Sequence, residues 1–240
     1  MKILVSALSA IALFSAVVPS RALDIAASGA ASVYEFLPGP RSTLYVINEY
    51  SAVPGHSFDS YIYFDLSSLT GDPVASAVLK LRTDANTAAG FITGFGATPP
   101  AESFFTLSDA DASWFGPAGT PNTDMNWANR PQSGGAFSVP ISFHFTSDGA
   151  GGYVDSWIEV DVTSIVNSWI QTPGSNFGFR LSSLTEPTFS AAAFVGTSGG
   201  AMAPQLEIVA VPEAGTTGLV VGGLVVLAFV LRRSRPVLNP

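Results

Sequence analysis

The middle of this chain is written in short aromatic and β-branched runs, and glycine, proline, serine and asparagine interrupt each before it reaches helical length. LYVINEY (44–50), YIYFDL (61–66) and ASAVLKLR (75–82) are the clearest of these runs. In the third, Val78, Lys80 and Arg82 point one way and Leu79 and Leu81 the other, which is the period of a strand with one buried face. The same reading predicts strands at 91–95, 137–145, 156–160, 177–182, 189–195 and 205–211. Turn residues at this spacing belong to antiparallel sandwiches, so the expected class is an all-β sandwich. One short helix is expected within DVTSIVNSWI (161–170). There Ile165, Val166, Trp169 and Ile170 share a helical face, Thr163 is a suitable N-cap, and Pro173-Gly174 is the stop.

Both ends of the chain are apolar. Lys2 precedes the apolar run 3–18, Pro19 breaks it, and Ser20-Arg21-Ala22 puts small residues where a signal peptidase reads them. Cleavage is expected between Ala22 and Leu23. Near the other end, residues 214–231 carry no charge, and at about 1.5 Å per helical residue they span roughly 27 Å, enough for a single transmembrane helix. Arg232, Arg233 and Arg235 then sit on the cytoplasmic side, which leaves Pro212 and Glu213 at the outer surface. The expected division is a signal peptide (1–22), a folded domain (23–210), a membrane-spanning tail (211–235) and a short extension (236–240).

Within 23–210 the five basic residues, Arg41, Lys80, Arg82, Arg130 and Arg180, face seventeen acidic ones, a net of −12. Such a field repels phosphate backbones, so nucleic acid is not an expected partner. The chain has no cysteine, which excludes thiol catalysis and cysteine-held metal centres.

Candidate chemistry is sparse. His56 and His144 are the only histidines, neither stands in a metal-ligand spacing, and no G-x-S-x-G elbow is present. The expectation is therefore a protein without catalytic residues. A carboxylate pair of the glycosidase type is the competing possibility, because its spacing is three-dimensional. FDLSSL (64–69) and VDVTSI (160–165) repeat one pattern, in which Asp65 and Asp161 are expected to accept hydrogen bonds from free N–H groups at a turn. Aromatic rings are the better lead, since sugars present apolar C–H faces to them. Trp114 and Phe115 lie in a glycine-, proline- and alanine-rich stretch (102–124), expected to be a loop excursion with exposed rings. Trp127 and Arg130 are further candidates for a sugar contact. Trp157 and Trp169 are expected to pack. Calcium is the one cofactor considered, with Asp109, Asp111 and Asp148 as ligand candidates against the alternative of solvated turn residues.

Two resemblances bear on this reading. YIYFDLSSL followed by ASAVLKL, then MNWANRP (125–131), VDVTSIVNSW (160–169), NFGFRL (176–181) and PQLEIV (204–209), stand in the order of the DNRLRE-type domains and cover roughly 34–209. The resemblance implies a jelly-roll β-sandwich similar to carbohydrate-binding modules, carried by secreted or surface proteins, some of which bind acidic polysaccharides such as alginate. For Trp127 and Arg130 it implies the structural alternative, tryptophan as a core or edge plug and arginine as an ion pair or backbone clamp. Val211-Pro212-Glu213, a small spacer, an apolar run and an arginine cluster resemble the PEP-CTERM sorting signal of exosortase-bearing Gram-negative bacteria, with Ala214 where the commonest form has proline. That implies a transient inner-membrane span, processing near Pro212-Glu213 by an exosortase-type enzyme, and delivery to the cell surface or extracellular matrix. The expected function is an exported, non-enzymatic protein with an extracellular polysaccharide as ligand. A secreted lyase or hydrolase, and a structural matrix protein with no sugar ligand, are the alternatives.

Overall fold

The longest alternating run becomes the longest strand of the smaller of two sheets. A computed structural model describes residues 22–35, 44–47, 57–69, 71, 73–115, 121–183 and 191–211. In it β5 (Val74–Arg82) lies between β11 (Gln205–Ala210) and β8 (Trp157–Asp161), and β1 (Ala22–Ala26) completes the order β1-β11-β5-β8. The larger sheet runs β10 (Ala191–Phe194), β3 (Leu44–Ile47), β4 (Phe58–Tyr63), β9 (Phe179–Ser183), β6 (Glu102–Ala110), β7 (Ser133–His144), with β2 (Gly29–Tyr34) also paired to β4. Every pairing is antiparallel.

The pleat decides what each strand buries. Ala77, Leu79 and Leu81 of β5 join Leu206 and Ile208 of β11 on one side of the main core. Ile62, Phe105, Leu107, Phe143, Phe179 and Leu181 supply the other side from the larger sheet. Each such side chain contributes roughly 1.5–3 kcal/mol when taken out of water. The expected all-β sandwich is what these residues form.

Helix α2 (Thr163–Gln171) closes one end of the core with Ile165, Val166, Trp169 and Ile170, the face read from the sequence. Its cap differs by one step. Thr163 is the first helical residue, and Asp161 Oδ1 accepts both its N–H (2.9 Å) and its hydroxyl (2.6 Å). Asn167 pins the helix to β5 by accepting from Val74 N–H (2.7 Å) and donating to Val74 O (3.1 Å). Asp65 behaves as expected and accepts from Ser67 N–H at 2.9 Å.

Three expectations are corrected. Residues 91–95 are not a strand: α1 (Ala85–Gly94) runs through them, capped by the Asp84 carboxylate on Thr87 N–H, with Ala85, Ala88, Ala89 and Ile92 buried at helical spacing. The stretch 102–124 is not one loop, because its first nine residues form β6, paired on both edges. Trp157 does not pack. It is 40% exposed, because β8 is an edge strand whose alternation sends Ile158 and Val160 inward and Trp157, Glu159 and Asp161 outward.

Among the described residues no helix is long and apolar enough to cross a membrane. The expected signal segment up to Arg21, the sorting residues Pro212, Glu213, Arg232, Arg233 and Arg235, His56, and parts of the strands expected at 44–50 and 189–195 lie outside the described residues. Ala22 and Leu23, on either side of the expected cleavage point, are the first two residues of β1 and are exposed.

Candidate functional site

Alternation along β4 gives the larger sheet a second, outward-facing cluster. Phe58 and Ile62 enter the main core, while Tyr61 turns the other way to meet Ala31 and Val33 of β2. Those three side chains make an apolar floor, and Trp114, Phe115, Met125 and Trp127, from the stretches 111–115 and 121–132, cover it. This excursion leaves the sheet after Ala110 and returns at Ser133. Its neck is tied where Asp111 N–H donates to Gln132 O (3.0 Å) and Asp111 Oδ1 accepts Gln132 N–H (2.7 Å).

Trp114 therefore overturns the expectation of an exposed ring. It is 1% exposed, lies against Tyr61 with ring centres 5.6 Å apart, and donates its indole N–H to Phe177 O at 2.9 Å. A turn-rich segment can fold back as readily as project, and here the apolar floor and a free carbonyl hold the indole. Phe115 stacks on Tyr63 at 3.7 Å. Together with Trp127 and Phe177 these two rings are partly buried against the same cluster. The outcome is a patch of four half-covered rings on a packed base.

Arg130 borders the patch, and Arg180 is joined to it through Asp59. The Arg130 guanidinium lies 3.4 Å from the centre of the Trp127 ring, donates Nη1–H to Trp127 O (2.5 Å) and donates Nε–H to Asp59 Oδ2 (2.6 Å). Arg180 reaches the same oxygen from β9 through Nη2 (2.8 Å) and Nε (3.3 Å). One carboxylate oxygen thus takes three guanidinium N–H groups, and the three side chains carry a net charge of +1. Burial pulls the Arg180 pKa down, but the Asp59 charge and its hydrogen bonds outweigh that and raise it. Burial first, then the Asp59 charge, pushes the Tyr61 phenol above its ordinary range, and its neutral OH donates to Pro131 O at 2.7 Å. The W-A-N-R-P block is held in turn by Asn126 and Asn129, whose amides donate to Asp124 O at 3.2 and 3.0 Å.

The sequence candidates separate at this point. Phe115, Trp127 and Arg130 come together, and Trp114 lies beneath them. Tyr63, Phe177, Asp59 and Arg180 belong to the same site and were missed. Their signal was a lone acid and a lone arginine, each on the outward phase of an aromatic strand (FDSYIY, FGFRL).

The calcium candidates are not brought together. Asp109 accepts from Phe137 N–H (3.0 Å) and Ala136 N–H (3.4 Å) where β7 begins, and Asp111 accepts from Gln132. Asp148 lies past the other end of β7 and accepts from Ala150 N–H (2.7 Å) and Gly152 N–H (2.9 Å). Each carboxylate closes its own turn. Among the described residues no group of three or more His, Cys, Asp or Glu could hold a metal ion. His144 faces Glu102 at 3.5 Å on the surface.

No protein-family model and no curated protein matches the chain.

Proposed function

We propose that this chain is an exported, non-enzymatic cell-surface or extracellular-matrix protein whose jelly-roll-like sandwich binds extracellular polysaccharide. The carrying observation is the patch of half-covered rings, Tyr63, Phe115, Trp127 and Phe177, seated on a second apolar cluster and flanked by Arg130. Rings fixed by packing lose little entropy when a flat sugar face settles on them, and a nearby guanidinium supplies hydrogen-bond donors to its oxygens. Asp59, beside the buried Tyr61, is held by two arginines, an arrangement suited to positioning side chains.

A glycan array probed with the full chain, with and without calcium, tests this reading. Retention of a polysaccharide without release of product, weakened at least about tenfold by Trp127→Ala, a loss of about 1.4 kcal/mol, is the expected result. Release of oligosaccharide product would move the protein to the lyases or hydrolases, and silence across the array would leave a structural matrix role.

Sorting follows from the tail. In this reading residues 214–231 span the inner membrane during export, and an exosortase-type enzyme cuts near Pro212-Glu213. Mass spectrometry of surface material is expected to show a C-terminus close to those residues, and an intact Arg235 there refutes processing.

A further inference from the structure

The outer face of the smaller sheet carries a second arrangement, far simpler than the first. Register aligns its outward side chains in rows across the strands. Asp24, Glu207, Val78 and Asp161 form one row, Gln205, Lys80 and Glu159 the next, and Arg82 with Trp157 the last. Lys80 is ion-paired to Glu207, and to Glu159 at 3.8 Å. Arg130 and Arg180 are ion-paired to Asp59. Arg82 differs from all of these. Among the described residues it has no carboxylate partner, its buried Nε–H has no hydrogen-bond acceptor, and its guanidinium lies 5.9 Å from the centre of the Trp157 ring.

Both halves of that pair are costly for a folded protein to hold as they are. A buried guanidinium N–H without an acceptor forfeits a charge-assisted hydrogen bond. A tryptophan 40% exposed on a strand leaves much of a large apolar surface in water. The Nε–H is covered and out of a ligand's reach, but the rest of the guanidinium is not, so one ligand suits the pair: a ring with a flat C–H face for the indole and an anionic oxygen for the uncovered guanidinium N–H groups.

We propose that Trp157 and Arg82 form a separate sugar subsite that takes a pyranose carrying one anionic substituent, a carboxylate or a sulfate, within a polymer whose neighbouring sugars are uncharged. The restriction to a single charge comes from the adjoining rows. Beside the one lysine they hold Asp24, Glu159, Asp161 and Glu207, a net of −3. Glu159 follows Trp157 on the same face of β8 by one pleat period, about 6.7 Å. A second anion on the next sugar would meet that acidic field, which is weakly screened at such range. The subsite is independent of the Trp127 patch and stands or falls without it.

The test is calorimetric titration of the full chain with three probes: a neutral xylo-oligosaccharide, the same oligomer bearing one glucuronic acid branch, and a fully charged oligogalacturonate. The singly charged oligomer is expected to bind at least about tenfold more tightly than either of the others, a difference of about 1.4 kcal/mol. Trp157→Ala and Arg82→Gln are each expected to erase that advantage, Trp157→Phe to keep most of it, and Trp127→Ala to leave it intact. Equal affinity for the three probes overturns the proposal, as does a preference that survives both Trp157→Ala and Arg82→Gln. Loss of the preference in Trp127→Ala alone assigns the charge recognition to the other patch and overturns it too. Both side chains sit at the end of the sheet's outer face, so the variants are expected to melt within about 2 °C of wild type, a stability change under about 1 kcal/mol.

Discussion

Replacing Asp59 by asparagine puts the physical reading of the larger sheet's outer face to its sharpest test. The side chain is nearly isosteric, so packing around it is kept and only the charge goes. The Asp59 side chain is 4% exposed, and those of Arg130 and Arg180 are 18% and 13% exposed. Removing one partner of a buried ion pair costs about 3–5 kcal/mol, because the remaining charge stays desolvated without compensation. Here two cations are left, but both reach some water, so the lower end, about 3 kcal/mol, is expected. For a domain of this size each kcal/mol moves the melting temperature by about 2–4 °C, which gives a drop of about 6–12 °C. Thermal unfolding followed by circular dichroism measures it. Arg130→Gln leaves Asp59 paired with Arg180 and is expected to cost only about 1–2 kcal/mol. The double variant is expected to lose less than the sum of the two, because removing one cation relieves the repulsion that Asp59→Asn created. An Asp59→Asn protein melting within about 2 °C of wild type refutes the reasoning, and so does strict additivity.

Other consequences follow from single contacts. Gly178 has φ of +81°, and a Cβ there would strike the Ile62 carbonyl across the β4–β9 edge, so Gly178→Ala is expected to cost about 2 kcal/mol or more by urea denaturation. A stability change of a few tenths would place the strain elsewhere. Since Asp109, Asp111 and Asp148 are committed to backbone N–H groups, millimolar calcium or a chelator is expected to leave the melting temperature unchanged; a rise of several degrees with calcium would contradict this. Asp161 is held below the usual carboxylate range by the Thr163 hydroxyl and N–H. A depressed folded pKa stabilises above the unfolded value, near 3.9, and that contribution is lost as pH falls through the folded value. Asp161→Asn is therefore expected to flatten the fall of melting temperature below about pH 4, and identical acid limbs in the two proteins would remove the assignment.

Local rules made the sandwich legible. Leu79 and Leu81 on one phase of β5, and the helical face of Ile165, Val166, Trp169 and Ile170, needed nothing beyond their own neighbours in sequence to declare what they bury. The failures have an equally local cause. Phe91-Ile92-Thr93 has strand composition, but the Asp84 cap and the small residues after it start a helix that carries through. β6 was hidden because the turn residues that follow it coloured the whole stretch, although Phe105 and Leu107 already alternate with Phe104 and Thr106. The candidate site was legible only as residue types. Asp59 meets Arg130 across 71 positions and Arg180 across 121, and nothing in either neighbourhood specifies that encounter. Which face of the larger sheet becomes covered, and so whether Trp114 is a floor or a platform, depends on the same long-range return of the chain.

The topology also links the two processing steps read from the sequence to the folding of what lies between them. β1, which opens at Ala22, has β11 as its neighbour, and β11 ends at Ala210 with β5 on its other side. The strand that begins at the expected signal cleavage point therefore cannot join its sheet until the last strand before the tail has arrived. Leu206 and Ile208 of that last strand are buried at 0% and 1% exposure, so the core is open until then as well. Long-range pairing of this kind delays closure of the fold. During export the domain would complete itself only once nearly all of 23–210 had crossed, while a spanning tail still held its C-terminal end at the membrane. Cleavage near Pro212-Glu213 would then act on a segment directly after a paired strand, and release would follow folding.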